Sequence, residues 1–308
     1  MVVAMVYTIS DLGTTWKKSI RFRLIRRLRR TMGHSSISVS GEYGRIVGSA
    51  YDQSILLNYA ETKTWCSVEN RFFVDFFARH GRGTYLDIGA NIGLTTIPVA
   101  RNPAVACLAF EPEPRNFHYL KRNIRTNCPR GNVRLFQLAL SDRCGKSKLA
   151  LSPTNKGDHR LVMGRCASTL RGAISSVSVD VARLDDIVQG FDLPLAAKLV
   201  AQGSEVHILA GGHNTLARAE ALVFEFCPYL LAAAQPDWRF LYDFLRHHFV
   251  DAALIPGGCR TELSWRPMAI LVEDMQTLMR NSMAMPEAYF HIFVRKGRPD
   301  PHLRQRQP

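Results

Sequence analysis

The sequence predicts an α/β protein built on a Rossmann-like, doubly wound and mostly parallel sheet. From Thr84 onward, short apolar segments alternate with helix-length segments, which is the pattern of parallel strands joined by crossover helices. Gly89 and Gly93 follow the first apolar segment and open a predicted helix that runs towards Arg101. Such a turn presents unpaired backbone N–H groups at the positive end of a helix dipole, and glycine lets a ligand approach the backbone closely. The sequence therefore predicts a ligand site at this turn.

Each further element follows from a local pattern. Two alternating segments around a glycine-containing turn, 37–39 and 45–47, predict a β-hairpin that covers one end of the sheet. Ser67 is a suitable cap for a helix that Gly81 ends. The first strand of the sheet ends at Asp87, and the later predicted strands are 105–110, 133–138, 197–201, 221–226 and 291–294. The later predicted helices are 114–127 and 237–247.

We expect four parts along the chain. They are a basic helical arm (1–35), a β-hairpin with a lead-in helix (36–80), the Rossmann-like domain (81–297) and a flexible tail (298–308). A polar insertion, 149–178, separates the third and fourth predicted strands. Extra segments at the carboxyl edge of such a sheet usually form a lid or a floor over the substrate.

The arm carries much of the net charge of +14. Eight Lys and Arg residues lie within 17–30 with no acid among them, and apolar residues recur there at near-helical spacing. This basic amphipathic helix is suited to rest on an anionic membrane surface, to bind nucleic acid, or to pack its apolar stripe on the domain. Phe22 is the sole aromatic residue in that segment, which makes nucleic-acid binding the weakest of the three, because base stacking needs aromatic side chains.

Composition and cysteine usage indicate a globular protein of a reducing compartment. Of the 308 residues, 46% are hydrophobic and 21% are charged, as in ordinary globular domains. The seven cysteines are an odd number without a C-x-x-C pair, which argues against a disulfide scaffold and against a zinc site. No apolar run approaches the roughly 20 residues of a membrane span, and the N-terminal order of apolar and basic residues is wrong for a secretory signal. We therefore expect a cytoplasmic protein without a bound metal, with peripheral membrane contact through the arm as a further option.

Acidic residues follow two neighbouring strands of the predicted sheet. Asp87 ends the first strand, where a carboxylate repels a pyrophosphate and attracts the amino group of an amino acid. Glu111 ends the second strand about 20 residues after the glycine turn, where a carboxylate hydrogen-bonds ribose hydroxyls. A nucleoside with an amino-acid tail satisfies both carboxylates, and S-adenosylmethionine is the obvious candidate. A dehydrogenase is disfavoured, since only two glycines bracket the turn and Asp87 opposes a pyrophosphate.

Four segments resemble the FkbM family of S-adenosylmethionine-dependent methyltransferases, in the family's order. They are 85–93 (YLDIGANIG), 110–117 (FEPEPRNF), 139–142 (ALSD) and 179–186 (VDVARLDD), with a weaker block at 198–205 (KLVAQGSE). The resemblance implies a Rossmann-like fold of the class I methyltransferase type. It also implies methyl transfer, usually to an oxygen of a sugar or of a specialised metabolite.

With this resemblance, the cofactor residues are assigned one by one. Asp87 would face the methionine amino group, directly or through water. Gly89, Asn91 and Gly93 would shape the turn under the methionine tail. Glu111 would take the ribose hydroxyls.

The adenine end is assigned to the segment after the third strand. Asp142, with Ser141 beside it, is placed to accept a hydrogen bond from the adenine amino group. A carboxylate that serves only its own turn, 141–145, is the alternative. Asn116 and Phe117 are candidates to flank the adenine, and helix capping and core packing explain them equally well.

The acceptor side departs from the family. Relatives usually carry Lys-Ile-Asp-Val-Glu-Gly after the fourth strand, and this chain has KLVAQG at 198–203. Val200 and Gln202 thus replace two acids, whereas Lys198 and Glu205 remain and are expected to contact the acceptor substrate. Valine can neither accept a proton nor coordinate an ion. Either another residue takes over, or the enzyme relies on positioning alone, or the protein binds cofactor without turnover.

The insertion supplies a candidate base. Its segment Asn-Lys-Gly-Asp-His-Arg, which ends at Arg160, resembles a stretch found in part of the family. We hypothesise that His159 is the general base, that Asp158 orients it or the substrate, and that Arg160 contacts an acidic substrate group. A polar surface loop is the alternative, and His207 and His213 are weaker candidates for the base.

Taken together, the residues favour an S-adenosylmethionine-dependent O-methyltransferase that acts on a sugar, a glycan or a specialised metabolite. Two alternatives remain open. One is a cofactor-binding homologue whose altered fourth-strand turn has ended catalysis, and the other is an RNA methyltransferase that recruits its substrate through the basic arm. The acceptor itself is not disclosed by the sequence, since substrate pockets in this fold are built from variable insertions.

Overall fold

The computed structural model describes residues 35–163, 175–234, 237–257 and 262–297, together with Arg27 and Thr31. Almost all of the basic arm and the whole of the predicted tail therefore lie outside the described residues. Within the described ranges, no helix is both long enough and apolar enough to cross a membrane.

The described part contains fourteen strands and ten α-helices. The strands are β1 (Ser36–Gly41), β2 (Gly44–Ser49), β3 (Gly83–Ile88), β4 (Val105–Phe110), β5 (Val133–Phe136), β6 (Ala139–Leu140), β7 (Gly145–Leu151), β8 (Arg160–Leu161), β9 (Ser175–Ala182), β10 (Leu195–Leu199), β11 (Ala221–Phe226), β12 (Asp251–Pro256), β13 (Arg266–Pro267) and β14 (Phe290–Arg295). The helices are α1 (Ile55–Thr62), α2 (Ser67–His80), α3 (Thr96–Ala100), α4 (Pro114–Asn127), α5 (Leu184–Ile187), α6 (Glu205–Gly211), α7 (His213–Leu216), α8 (Pro228–Ala234), α9 (Trp238–His248) and α10 (Met268–Arg280).

Eight strands form the central sheet, in the order β13–β12–β14–β11–β10–β3–β4–β5. β3, β4, β5, β10 and β11 are parallel, and β14 runs antiparallel to both β11 and β12. The chain adds β4 and β5 on one side of β3 and then crosses to β10 and β11 on the other. Ligands of such sheets bind outside the carboxyl ends of the strands where the strand order reverses, which here is between β3 and β10. The predicted doubly wound, mostly parallel sheet is confirmed.

Helices cover both faces of the sheet, and each face has its own apolar core. On one face the ring of Tyr85 lies 4.8 Å from that of Phe73 and 6.2 Å from that of Phe77, both on α2. On the other face Leu86 packs in a cluster with Leu245 of α9. Because every residue of β3 is buried, its polar members must find partners inside the protein.

The predicted N-terminal hairpin is present as β1 and β2, and it packs on α4. Asn123 of α4 is fully buried and joins the hairpin to the main domain. Its side chain accepts a hydrogen bond from Val47 N at 2.8 Å and donates to the carbonyl oxygens of Val47 and Ile92, both at 2.9 Å. One turn later, Asn127 accepts from Arg45 N at 3.1 Å in a more exposed position.

Part of the predicted insertion belongs to a second sheet, with strand order β6–β9–β7–β8. The segment between β7 and β8, residues 152–159, returns to the region of the hairpin and α1. There Asp52 Oδ1 accepts from Lys156 N at 3.3 Å, and Gln53 N donates to Thr154 O at 2.8 Å. These contacts hold the insertion beside the carboxyl edge of the main sheet.

Several boundaries differ from the predictions. Helix α2 begins at Ser67 itself, and the preceding Cys66 has a left-handed backbone with φ 42°, so Ser67 does not act as the cap. The third strand ends at Phe136, because the next two paired residues, β6, hydrogen-bond to β9 in the second sheet. α1, β12 and α10 were not predicted.

Replacing Asn123 with alanine is expected to lower the free energy of unfolding by about 2–4 kcal/mol, because two carbonyls and one amide lose their partner inside the protein. Asn127→Ala, one helical turn away and more exposed, is the matched control and is expected to cost about 1 kcal/mol or less. Urea unfolding of both variants measures the two costs. Equal losses would show that the hairpin is not held through Asn123.

Candidate functional site

A cavity of ≈ 780 Å³ lies at the carboxyl edge of the sheet, where β3, β4, β10 and β11 end. We call the part beside the glycine turn the turn half; it is lined by Gly89, Asn91, Phe110, Glu111, Leu138 and Ile208. We call the opposite part the far half; it is lined by Glu69, Glu225, Tyr229, Tyr289 and His291. Lys198, Val200 and Gln202 lie along the wall between them. A cavity of this volume suits a ligand of several hundred daltons.

The glycine turn is packed directly on the backbone that follows β10. Gly89 has a φ of 79°, and a Cβ on it would lie 2.0 Å from the carbonyl oxygen of Val200. The turn does not present the free N–H groups that the sequence predicted, since the amides of residues 89–93 all donate within the protein. Their acceptors are Phe110 O, Glu111 Oε2, Asn91 Oδ1 and Ala90 O. A phosphate therefore finds no free amides here, which strengthens the case against a dinucleotide.

Asp87 and Lys198 form a buried ion pair. Lys198 Nζ lies 2.9 Å from Asp87 Oδ1 and also donates to the carbonyl oxygen of Gly89 at 2.8 Å. Asp87 Oδ2 accepts from the hydroxyls of Thr95 and Thr96 at 2.7 and 2.6 Å. The Asp87 side chain is 0% exposed and does not line the cavity, whereas Lys198 does. Asp87 thus lies behind Lys198 and holds it against the cavity wall, and its predicted role towards the methionine amino group stays a prediction.

Glu111 is the acidic group of the turn half. Its two oxygens accept from the backbone amides of Asn91 and Glu113, both at 2.9 Å. Burial raises the pKa of Glu111 to about 7, although these two hydrogen bonds act in the opposite direction. A carboxylate oxygen can accept more than one hydrogen bond. The side chain can therefore receive two hydroxyl groups from the cavity without losing its backbone partners.

The insertion closes over the glycine turn through one carbonyl group. Lys156 O accepts from Asn91 Nδ2 at 2.8 Å and from Asn116 Nδ2 at 2.9 Å. Asn91 has a positive φ of 51°, a conformation that costs energy for a residue other than glycine. In this conformation the Asn91 side chain binds the insertion and the Asn91 backbone amide binds Glu111. Asn116 fastens the insertion in the same way.

Ser141 and Asp142, predicted to contact an adenine, do not line the cavity. Asp142 accepts from Ser141 Oγ at 3.0 Å, and its other oxygen lies 3.1 Å from His207 Nδ1. Burial raises the pKa of Asp142, but the hydrogen bonds from His207 and Ser141 outweigh it, and the net pKa is lowered. The carboxylate therefore has partners on α6 and in its own turn, and the apolar side chains of Leu138 and Ile208 line this end of the cavity instead.

His159, Asp158 and Arg160 all line the cavity, and each has a hydrogen-bond partner within the protein. His159 Nδ1 accepts from Ser152 N at 3.0 Å, so the neutral ring carries its proton on Nε2 and has no free basic nitrogen. Burial, together with the positive charge of Lys156, lowers the pKa of His159 to about 4. Arg160 binds both oxygens of Asp158, at 2.7 and 3.0 Å. Asp158 thus pairs with Arg160 and does not orient His159, and the guanidinium is engaged within the protein.

The turn after β10 carries the two departures from the family pattern. Val200 places an apolar side chain on the cavity wall. Gln202 has a φ of 52°, and its Nε2 donates to Glu225 Oε2 at 2.7 Å. Glu205, predicted as a substrate contact, is 2% exposed and accepts from two backbone amides of the turn at 2.8 and 2.9 Å. Glu205 does not line the cavity, and it holds the turn in place.

Glu225 is a functional candidate that the sequence analysis missed. It lies in β11, in which all six residues are buried, and it lines the cavity while only 9% exposed. Burial and the negative charge of Glu205 raise the pKa of Glu225 to about 8, against the effect of Lys198. The signal in the sequence was one acid in the apolar run Ala-Leu-Val-Phe-Glu-Phe, because an unpaired acid is rarely buried without a role.

A carboxylate and an imidazole lie next to Glu225 in the far half. Glu69 Oε1 is 3.1 Å from His291 Nδ1, at ion-pair distance but without hydrogen-bond geometry. Burial lowers the pKa of His291, although the charge of Glu69 opposes this. His291 on β14 is the register partner of Glu225 on β11. The far half therefore has a polar wall, in contrast to the apolar side chains around Leu138.

The protein has a doubly wound sheet, buried acids after two adjacent strands and a cavity at the reversal of strand order. These features define the Rossmann-like class. The family model described as "Methyltransferase FkbM domain" matches residues 87–249, more than half of the chain. The chain belongs to the FkbM methyltransferase family, and the resemblance predicted from the sequence is confirmed.

Two curated relatives and one solved structure illustrate the similarity. Methyltransferase sdnD of Sordaria araneosa is 29% identical over 152 residues, which are 41% of this chain and 59% of that protein. 2-O-methyltransferase NoeI of Sinorhizobium fredii (strain NBRC 101917 / NGR234) is 27% identical over 196 residues, which are 59% of this chain and 78% of that protein. The chain thus spans less than two thirds of the length of sdnD. The cofactor-bound Rv0187 from MTB has a TM-score of 0.40 and 15% identity, over 76% of this chain and 83% of that one.

Lys198→Met is expected to lower the free energy of unfolding by about 3–5 kcal/mol, because it leaves the Asp87 carboxylate buried without its cation. Lys146→Met is the matched control: its ammonium lies 2.8 Å from Asp180, in a pair whose side chains are 74% and 66% exposed. Such an exposed pair contributes at most about 1 kcal/mol. Denaturant unfolding distinguishes the two, and a small loss in Lys198→Met would show that the buried pair does not hold the site together.

Proposed function

We propose that this protein is an S-adenosylmethionine-dependent O-methyltransferase that acts on a hydroxyl group of a sugar, a glycan or a specialised metabolite. The observation that carries the proposal is Glu111, a buried carboxylate at the end of β4 that lines the cavity of ≈ 780 Å³. Membership of the FkbM family supports methyl transfer. The relative NoeI, a 2-O-methyltransferase by name, supports an oxygen acceptor.

The turn half fits an adenosyl amino acid. Glu111 offers acceptor capacity for the two ribose hydroxyls while keeping its amide partners. Phe110, Leu138 and Ile208 offer apolar walls for a purine ring. The amides of the glycine turn are used within the protein, so the donors that a phosphate needs are missing from this turn. Asp87 would act on the amino-acid tail only through Lys198 and the shape of the turn.

When bound, S-adenosylmethionine supplies a methyl group attached to a positively charged sulfur. The residues of the chain have three tasks: they hold the acceptor hydroxyl in line with that methyl, exclude water, and take the hydroxyl proton. The insertion covers the turn half through the Lys156 carbonyl. The polar side chains of the far half, among them Glu69 and His291, are suited to hydrogen-bond the hydroxyl groups of an acceptor.

One observation favours a second candidate, a protein that binds the cofactor without turnover. Val200 stands on the cavity wall where the family resemblance implies an acid. An assay for release of S-adenosylhomocysteine over a panel of sugars, glycans and specialised metabolites separates the two candidates. If the protein binds S-adenosylmethionine but releases no S-adenosylhomocysteine with any acceptor, the second candidate is supported.

The predicted roles of the basic arm are not tested by the described residues. Recruitment of RNA and contact with an anionic membrane surface rest on the basic arm, almost all of which lies outside the described residues. A cytoplasmic location likewise stays a prediction. Deletion of residues 1–33, with binding measured at several salt concentrations, tests the RNA alternative, because phosphate contacts weaken steeply with salt.

Calorimetric titration is expected to show that S-adenosylmethionine binds the wild-type protein and that Glu111→Gln weakens this affinity about tenfold to a hundredfold, the usual effect of losing hydrogen bonds to a charged group. The pKa of Glu111 near 7 gives the pH dependence. Affinity should fall as the pH drops through about 7, because protonation removes the ionised acceptor. The Glu111→Gln variant should lack this step.

The control is Glu273→Gln, an exposed glutamate on α10 that does not line the cavity. It should bind S-adenosylmethionine with wild-type affinity. Wild-type protein that binds no S-adenosylmethionine, or a Glu111→Gln variant that binds it as tightly as wild type, would contradict the proposed arrangement.

A further inference from the structure

We infer that Glu225 is the general base of the proposed methyl transfer and that Gln202 positions it. The inference rests on the proposed function and assigns a residue that the motifs of the sequence did not. One oxygen of Glu225 is anchored, since Oε2 accepts from Gln202 Nε2 at 2.7 Å. The other, Oε1, accepts no hydrogen bond from the described part of the chain. A carboxylate with one oxygen held and one free is arranged to accept a proton.

Four other titratable groups that line the cavity lack this combination: Asp158, Glu111, His159 and His291. Both oxygens of Asp158 are bound by Arg160, and both oxygens of Glu111 hold backbone amides. His159 has its basic nitrogen occupied by a backbone N–H. His291 is not oriented by a hydrogen bond from its Nδ1 within the described residues. Among these groups, Glu225 is the one with one oxygen held by a hydrogen bond and the other oxygen available to accept a proton.

Glu225 also lies at a suitable position for a general base, beside the wall between the two halves of the cavity. β11 lies beside β10 with Leu199 opposite Phe224, so Glu225 comes level with the turn that begins at Val200. That turn lies on the wall between the two halves of the cavity. Glu225 therefore lies on the acceptor side of the boundary at which a methyl group would pass from one half to the other.

The proposed step balances in atoms and charge. The acceptor oxygen forms a bond to the methyl carbon as the bond from that carbon to sulfur breaks, and the electron pair of the broken bond stays on sulfur. The hydroxyl proton passes to Oε1 of Glu225, and the carboxylate becomes a neutral carboxylic acid. The positive charge on sulfur and the negative charge on Glu225 disappear together. The acid returns its proton to solvent before the next turnover.

The side-chain amide of Gln202 favours the ionised form of Glu225. A second carboxylate at 2.7 Å would compete with Glu225 for one proton, because two like charges at that distance do not ionise together. The amide of Gln202 donates a hydrogen bond instead, which stabilises the ionised form. The charged groups that act on Glu225 from the surrounding elements are Glu205 on α6, Lys198 on β10, and Asp158 and Arg160 in the insertion. His291 on β14 lies opposite Glu225 as its register partner.

The first test needs no acceptor. Infrared difference spectra of the cofactor-free protein, wild type minus Glu225→Gln, isolate the carboxylic-acid band of Glu225. The band is expected to disappear with a midpoint near pH 8, in line with the pKa of about 8 that burial causes. In Gln202→Met, which keeps the side-chain length and removes the N–H donor, the midpoint should move to higher pH by about one unit. A band that titrates with the exposed carboxylates, or that persists through pH 10, would overturn the inference.

The second test uses the acceptor that the panel identifies. Glu225→Gln is expected to lower kcat at least about a hundredfold, the usual contribution of a general base, while the Kd for S-adenosylmethionine stays within about twofold. Wild-type kcat should rise with pH through about 8, because the ionised form is the active one, and Gln202→Met should shift this rise upward. His291→Gln tests the rival base, and Glu273→Gln is the surface control.

The outcomes separate this inference from the proposed function. If S-adenosylmethionine binds and the acceptor is methylated, but Glu225→Gln keeps the wild-type kcat and pH profile, Glu225 is not the base and the function stands. Loss of the pH-dependent rise in His291→Gln with its retention in Glu225→Gln would move the role to His291. Failure of the wild-type protein to bind S-adenosylmethionine would overturn both.

Discussion

The buried ion pair between Lys198 and Asp87 is the constraint on which the site depends. Moving two charges out of water costs several kcal/mol each, so a buried pair persists only where further hydrogen bonds satisfy it. Here two threonine hydroxyls bind the carboxylate and the carbonyl of Gly89 binds the ammonium. The two residues are register partners on adjacent strands. The pair therefore fastens the end of β3, the glycine turn and the end of β10 to one another, at the point where the strand order reverses.

Because this ion pair occupies Asp87, other groups of the cavity must contact a ligand. Asp87 is paired inside the protein, and the Val200 carbonyl lies against Gly89. Two of the acids that line the cavity lie on either side of this point, Glu111 in the turn half and Glu225 in the far half. Both are buried, and burial raises the pKa of each, to about 7 and about 8. The same low dielectric that raises these pKa values strengthens the interaction of either carboxylate, once ionised, with a positive charge in the cavity.

The sequence predicted the parts of the site that depend on local geometry. Glu111 follows its strand directly, and the residues of the glycine turn are neighbours in the chain, so spacing alone placed them. The roles predicted for His159, Asp158 and Arg160 rested on adjacency in sequence, which does not decide which side chains pair. In the structure Arg160 on β8 binds Asp158, and His159 accepts a hydrogen bond from a backbone amide. The sequence did not indicate Glu225, because its partner Gln202 is distant in the chain, in the turn that follows β10.

Gln202 looks like a loss when it is compared with the motif, and the structure gives it a partner in Glu225. The valine side chain at position 200 has no structural explanation. Val200 lies against the glycine turn, where its carbonyl oxygen fills the space that a side chain on Gly89 would need. An acidic side chain at Gln202 would meet Glu225 at hydrogen-bond distance, with Glu205 buried close by, and three carboxylates in so small a volume could not all ionise. An amide at Gln202 removes one of those charges and supplies a donor. The turn after β10 therefore carries fewer acids than the family pattern implies, and Glu225 has one carboxylate neighbour fewer to oppose its ionisation.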